Sequence, residues 1–214
     1  MRTLVSIAFM QFLSRESQSS RPRGVLSTVL APPLQPAPHP FAPVFQRLNL
    51  HGTGLGDGGI PIWQTQVVTG PMWLKARDTL NRICDLAEAE AVTFTLENLN
   101  PLDHPGCPFG STADVLALVS SIDRPQLKMN LDLYHTQIGE GDLLRWCEKC
   151  LPWVGEIQVA DNPGRCEPGT GEINYGGVAK GLDKMGYSGP VALESWAAID
   201  PEKALAAFRS AFTL

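Results

Sequence analysis

Four short strand-like stretches each end on an oxygen-bearing side chain, at intervals that one structural repeat would set. They are Thr93-Phe94-Thr95-Leu96-Glu97, Lys128-Met129-Asn130-Leu131-Asp132, Glu156-Ile157-Gln158 and Val191-Ala192-Leu193-Glu194. From 97 to 132, 132 to 158 and 158 to 194 the steps are 35, 26 and 36 residues. A strand, a loop, a crossover helix and a second loop occupy roughly 30 residues. Strands joined in this way are parallel. As neighbours they would bring Glu97, Asp132, Gln158 and Glu194 to one end of a single sheet. One carboxylate at a strand end is usually a helix cap or an ion-pair partner. Four polar ligands in register are not explained that way.

The intervening residues read as helices. Trp73, Ala76, Leu80, Ile83 and Ala87 recur every three or four positions and predict a helix over 71–91. Ser111 or Thr112 opens a second helix, with Asp114 placed for a capping box. A third spans 142–151, stopped by Pro152. A fourth runs through Val178, Leu182 and Met185 to Gly186. Asp200 caps a last one, with Pro201 in its first turn, which would bury Leu205, Phe208 and Phe212. An earlier strand is expected at Arg47–His51, followed by a glycine-rich loop at 52–59 that lacks any phosphate-binding pattern. The pleat puts Asn49 and His51, Thr95 and Glu97, Asn130 and Asp132, and Glu156 and Gln158 on polar faces. Leu96, Leu131, Ile157 and Leu193 fall on the opposite, apolar faces. An open doubly wound sheet would be apolar on both sides. A (β/α) TIM-barrel-like fold with a polar mouth suits the pattern better, incomplete because about five of eight units are visible.

Composition narrows the function. A net charge of −5 over 214 residues opposes nucleic acid as a partner, because phosphate recognition needs a basic surface. No run is long enough to cross a membrane. Five cysteines without framework spacing, Cys147-x-x-Cys150 among them, are expected to be free thiols in a reducing, cytoplasmic setting. Residues 4–10 resemble a weak signal-peptide core but lack a convincing cleavage site.

Two Glu, one Asp and one Gln make an all-oxygen donor set, which suits Mg²⁺ or Mn²⁺ better than Zn²⁺. A cation chelated by adjacent carbonyl and hydroxyl oxygens acidifies the carbon-bound proton between them. One glutamate can remove that proton and a second can return one to the neighbouring carbon. No nucleotide cofactor is needed. Three further residues each keep two readings. His135 packs at a loop or touches substrate. Arg165 forms a loop ion pair or holds an acidic substrate group. His51 orders its loop or donates a hydrogen bond at the site.

The motifs go further than the chemistry. Glu97-Asn98-Leu99-Asn100, Met129-Asn130-Leu131-Asp132-Leu133-Tyr134-His135, Gly155-Glu156-Ile157-Gln158-Val159-Ala160-Asp161, the run 163–175 and Ala192-Leu193-Glu194 resemble the hydroxypyruvate isomerase family. That family lies among the xylose-isomerase-like TIM barrels, with sugar epimerases and endonuclease IV. The resemblance covers about residues 47–214. It implies that Glu97 and Glu194 form the acid/base pair and also bind metal, and that Asp132 and Gln158 complete the metal site. It places His135 and Arg165 on the substrate side, where His51 is also expected. The implied reaction interconverts hydroxypyruvate and 2-hydroxy-3-oxopropanoate, in glyoxylate metabolism. The expected partner is a small molecule, with a homo-oligomer left open. A ketose epimerase or sugar isomerase is the catalytic alternative, and a non-catalytic fragment is the other. A nuclease would need a cluster of histidine ligands, and this chain has His39, His51, His104 and His135.

Residues 1–46 depart from the family. Residues 14–46 are rich in Ser, Arg and Pro without a sustained period, so the first 46 residues are expected to be disordered or mis-started sequence. Three βα units would precede Arg47–His51 in the family, and this segment cannot hold them. A truncated chain is the resulting expectation.

Overall fold

The computed structural model describes residues 3–7, 25–27 and 67–213. In chain order the elements are β1 (Thr3–Ile7), β2 (Val25–Ser27), α1 (Gly70–Ala89), β3 (Val92–Glu97), α2 (Thr112–Ile122), β4 (Leu127–Asp132), α3 (Leu133–Gly139) and α4 (Leu143–Cys150). A short 3₁₀ turn (Leu151–Trp153) leads to β5 (Val154–Val159), α5 (Tyr175–Lys184), β6 (Val191–Trp196) and α6 (Pro201–Ala211). The sheet order is β1-β3-β4-β5-β6-β2, parallel throughout except that β2 runs antiparallel to β6. Four consecutive right-twisting parallel strands with their helices make a curled half-barrel.

The apolar strand faces meet the helices, as the pleat required. Met129, Leu131, Ile157 and Val159 are fully buried among Ile83, Cys84, Ala87, Val115, Val119, Cys147 and Leu182. Each such large side chain contributes about 1.5–3 kcal/mol relative to exposure. Helix starts are capped, at Ser111 and Asp200 as expected and at Thr69 and Asn174 besides. Thr69, Ser111, Asn174 and Asp200 each accept a backbone N–H from the first turn of their helix. Leu205, Phe208 and Phe212 pack against the core from α6 but remain partly exposed. None of the five cysteines forms a disulfide, and Cys147 and Cys150 are buried one turn apart on α4. Among the described residues no helix is long and apolar enough to cross a membrane.

Three findings depart from the sequence reading. Strands β1 and β2 lie inside residues 1–46, where no strand is predicted; Leu4-Val5-Ser6-Ile7 is a short apolar run of strand type. The helix α3 was missed because Asp132 was read only as a ligand. Its carboxylate also caps that helix, accepting from the backbone N–H groups of Tyr134 (2.8 Å) and His135 (3.2 Å). Finally, β5 contains a bulge. Met129 pairs with Val154 but Asn130 pairs with Glu156, so Gly155 is an extra residue in the ladder. A Cβ at Gly155 would lie 2.8 Å from that of Lys128 and 3.0 Å from the Thr95 methyl, so only glycine fits without a shift. The expected strand at 47–51, the loop at 52–59, His51 and the boundary near residue 46 lie outside the described residues.

Candidate active site

Register decides which side chains meet. Glu97 lies opposite Asn130, Asp132 opposite Gln158, and Gln158 opposite Ala192, two residues before Glu194. Each offset along the ligand row is zero or two, so all four side chains stay on one face. Downstream of the bulge, Glu156 and Gln158 come into phase with Asn130 and Asp132. The four expected ligands therefore line one end of the sheet.

His135 and Arg165 join them. The Arg165 Nη2 lies 2.7 Å from Glu194 Oε2 and 3.9 Å from Asp132 Oδ2. Its guanidinium carbon sits 5.1 Å from the centre of the Tyr134 ring, within cation–π range. The His135 Nε2 lies 3.8 Å from Glu97 Oε1 and 3.9 Å from Asp132 Oδ2, too far for a hydrogen bond to either. Glu97, Asp132 and His135 each offer an atom to a group whose members all fall within 4.8 Å of one another.

Burial sets the charges. It pushes the Glu97 carboxyl well above the ordinary range, reinforced by Glu194 and Asp132. Burial also raises Asp132 to about 6 and Glu194 to about 7, with the Arg165 guanidinium opposing both shifts. For Arg165 itself, burial works against the charge, but Asp132, Glu194 and Glu97 outweigh it and hold the guanidinium firmly protonated. Burial lowers His135 to about 2, aided by Arg165 and His104, so the imidazole is neutral. Three packed carboxyls that resist ionising together are a site short of positive charge.

The donor set suits a hard divalent cation on a second ground. Glu97 Oε2 and Gln158 Oε1 are buried oxygens without a hydrogen-bond partner. The Gln158 amide donates Nε2–H to Glu156 Oε1 at 3.2 Å, which leaves its carbonyl oxygen free to ligate. A buried polar oxygen without a partner costs about 1–3 kcal/mol.

Other residues hold this arrangement in place, and the sequence reading gave them no role. Asn98 bonds the Asp132 backbone twice, accepting its N–H at 2.9 Å and donating to its carbonyl at 3.1 Å. The same amide donates to Thr112 and Thr136 hydroxyls. Glu140 then closes α2 over this cluster, accepting from the Thr112 N–H (2.7 Å) and hydroxyl (2.9 Å). The loop that carries Arg165 is fastened by two buried acids. Asp161 accepts backbone N–H groups from Asn162, Gly169 and Ile173. Glu167 accepts the Ala198 N–H at 2.8 Å, tying the loop to the exit of β6. Arg165 itself adopts φ +51°, and its carbonyl accepts the Trp196 N–H at 2.8 Å. Such acids pass for ordinary loop residues in sequence; the only signal was the length of the 163–175 motif.

Residues 64–211 match the model of the xylose isomerase-like TIM barrel family, more than half of the chain. The chain belongs to that family. Hydroxypyruvate isomerase of Escherichia coli is 34% identical over 117 residues, 55% of this chain and 45% of that protein. A 2-oxo-tetronate isomerase of Cupriavidus necator is 35% identical over 108 residues, 50% of this chain and 42% of that protein. The chain thus spans less than half the length of these curated relatives. Among solved structures, an AP endonuclease of family 2 from Brucella melitensis superposes with a TM-score of 0.56 at 32% identity, covering 65% of this chain and 52% of that one.

Proposed function

We propose that this chain carries the proton-transfer site of an isomerase acting on a small hydroxy-keto acid. One observation carries the reading: Glu97, Asp132 and Glu194 converge, buried, beside a single guanidinium, Arg165. The relatives named for hydroxypyruvate and 2-oxo-tetronate support the same substrate class. The specific reaction we assign is hydroxypyruvate to 2-hydroxy-3-oxopropanoate, through an enediolate.

Glu97, Asp132, Gln158 and Glu194 would hold Mg²⁺ or Mn²⁺. When bound, the cation would polarise the substrate carbonyl and acidify the neighbouring C–H. Everything else falls to side chains. One of Glu97 and Glu194 takes the proton from the hydroxyl-bearing carbon, the other returns a proton to the former carbonyl carbon, and the hydroxyl proton passes to the former carbonyl oxygen. Arg165 pairs with the substrate carboxylate, so it must exchange its Glu194 contact for the ligand. The neutral His135 offers an Nε2–H to a substrate oxygen. His51 is assigned to the same side from its place at the end of the predicted strand at 47–51.

A nucleic-acid substrate is disfavoured by the net charge of −5. The assay that tests the reading supplies hydroxypyruvate, 2-oxo-tetronate and a neutral ketose in turn, with Mn²⁺. Turnover of a keto acid is the expected result. Turnover of the neutral ketose alone would replace the reading with an epimerase, and turnover of none would leave a non-catalytic chain.

A further inference from the structure

The motif Glu97-Asn98-Leu99-Asn100 ends on an asparagine whose amide is fully committed. Asn100 Oδ1 accepts two backbone N–H groups, from Leu102 at 3.0 Å and Asp103 at 2.8 Å. Backbone N–H groups can only donate, so the oxygen position is fixed and the NH₂ must point the other way. There it lies 2.8 Å from Asp103 Oδ2 and 2.7 Å from His135 Nδ1. An amide N–H aimed at a ring nitrogen requires a lone pair on that nitrogen. The His135 proton therefore sits on Nε2.

We infer that Asn100 is a positioning residue that locks His135 in the Nε2–H tautomer, making His135 a hydrogen-bond donor to substrate oxygen and excluding it from the cation's ligand set. The consequence is local and specific. Nε2 is buried without a partner and faces Glu97 and Asp132 across gaps of 3.8 Å and 3.9 Å. A cation could not sit against a nitrogen that carries hydrogen. An oxygen of a hydroxy-keto acid could accept it. The metal-sized grouping of Glu97, Asp132 and His135 is then a two-carboxylate edge with a donor beside it.

The same amide reaches further. Asp103 Oδ2, fixed by Asn100, also accepts the Tyr134 hydroxyl at 3.0 Å. The Tyr134 ring carries the Arg165 guanidinium. A chain from Asn100 through Asp103 and Tyr134 thus connects the His135 donor to the Arg165 cation. Asn100 orients His135 directly and reaches Arg165 only through that chain, alongside the Glu194 contact that holds the guanidinium. The substrate contact rests on the function proposed above; the tautomer does not.

Nitrogen NMR of the full, metal-free chain labelled at histidine tests the assignment, with His135→Gln identifying the resonances. Nδ1 should appear as the bare, pyridine-type nitrogen and Nε2 as the hydrogen-bearing one. The reverse pattern in the unaltered chain would overturn the inference, whether or not any variant folds. Asn100→Asp keeps the shape but presents only acceptors, so it should move the proton to Nδ1. It should also lower turnover by about 10–100-fold, the usual range for losing a residue that orients a site histidine. A variant that keeps the Nε2–H signature would show that Asn100 does not set it. Mn²⁺ should bind His135→Gln as tightly as the unaltered chain, within about twofold. A loss of tenfold or more would make His135 a ligand and sink the proposal. If the unaltered chain binds no Mn²⁺, the metal reading fails while the spectrum still decides the tautomer.

Discussion

The two sides of the site are held by different means. On the β3–β4 side, Glu97, Asp132 and His135 are all but sealed, at 3%, 1% and 0% exposure. Asn98 holds the Asp132 backbone and Asn100 the His135 ring, through buried amides whose hydrogen-bonding groups are used several times over. On the β5–β6 side, Gln158 is half-buried, and the Arg165 side chain keeps 23% of its surface. That side depends on a loop pinned at a few points by Asp161 and Glu167. A sealed, rigid wall keeps carboxylates in low dielectric, where their proton affinity rises. Under the proposed function the looser wall carries the cationic group that would trade partners as substrate arrives. The rigid wall then holds one acid/base glutamate, and the loose wall holds the other together with the arginine that would admit substrate.

The comparison breaks first at the acid/base pair, one member on each wall. Glu97→Gln and Glu194→Gln should each lower kcat on hydroxypyruvate by at least about 10²-fold. If only one does, the proton is handled from a single side. Next in size is the wall itself. Asn98→Ala should cost about 3 kcal/mol in a urea melt, because several buried groups lose their partner. Glu167→Gln, which weakens one acceptor on the loose side, should cost about 1 kcal/mol. Equal losses would erase the distinction between the walls.

The charge balance gives a pH test. Asp132 and Glu194 hold protons in the folded metal-free chain to about 6 and about 7, whereas free carboxyls release theirs near pH 4. Their contribution to stability is therefore complete below about pH 4 and lost as pH rises through those values. Cation binding needs the ionised forms, so Mn²⁺ affinity should rise over the same interval. At about 100 times its Kd, Mn²⁺ should stabilise the chain by about 2.7 kcal/mol. A melt indifferent to Mn²⁺ at pH 8 would reject the site. The smallest effect belongs to admission. Arg165→Ala should raise KM for a keto acid by about tenfold, the loss of one charge-assisted pair, with little change for a neutral ketose.

Much of this site was legible because strands advertise themselves. The alternation at 93–97 and 128–132 fixed both the faces and the end of the sheet at which Glu97 and Asp132 meet. Caps such as Ser111 and Asp200 announced their helices. What stayed hidden was every residue whose role is to fasten another. Asn98 and Asn100 have the composition of a turn, and only three-dimensional contact shows what their amides hold. Asp132 concealed a helix because one side chain both faces the site and caps α3. Glu167 and Asp161 sit among glycines and prolines, where a carboxylate looks like solubility.

The bulge at Gly155 shifts the side-chain pattern of β5 by one step partway along the strand. Below it, Val154 keeps time with Met129; above it, Gln158 keeps time with Asp132. Were Gly155 instead paired opposite Asn130 in a regular ladder, Glu156 would fall opposite Leu131 and Ile157 opposite Asp132, offering Ile157 to the carboxylates and driving Gln158 among the helices. The shortest side chain in the molecule therefore governs whether the longest-range pattern in its sequence ends in a site or in an ordinary sheet.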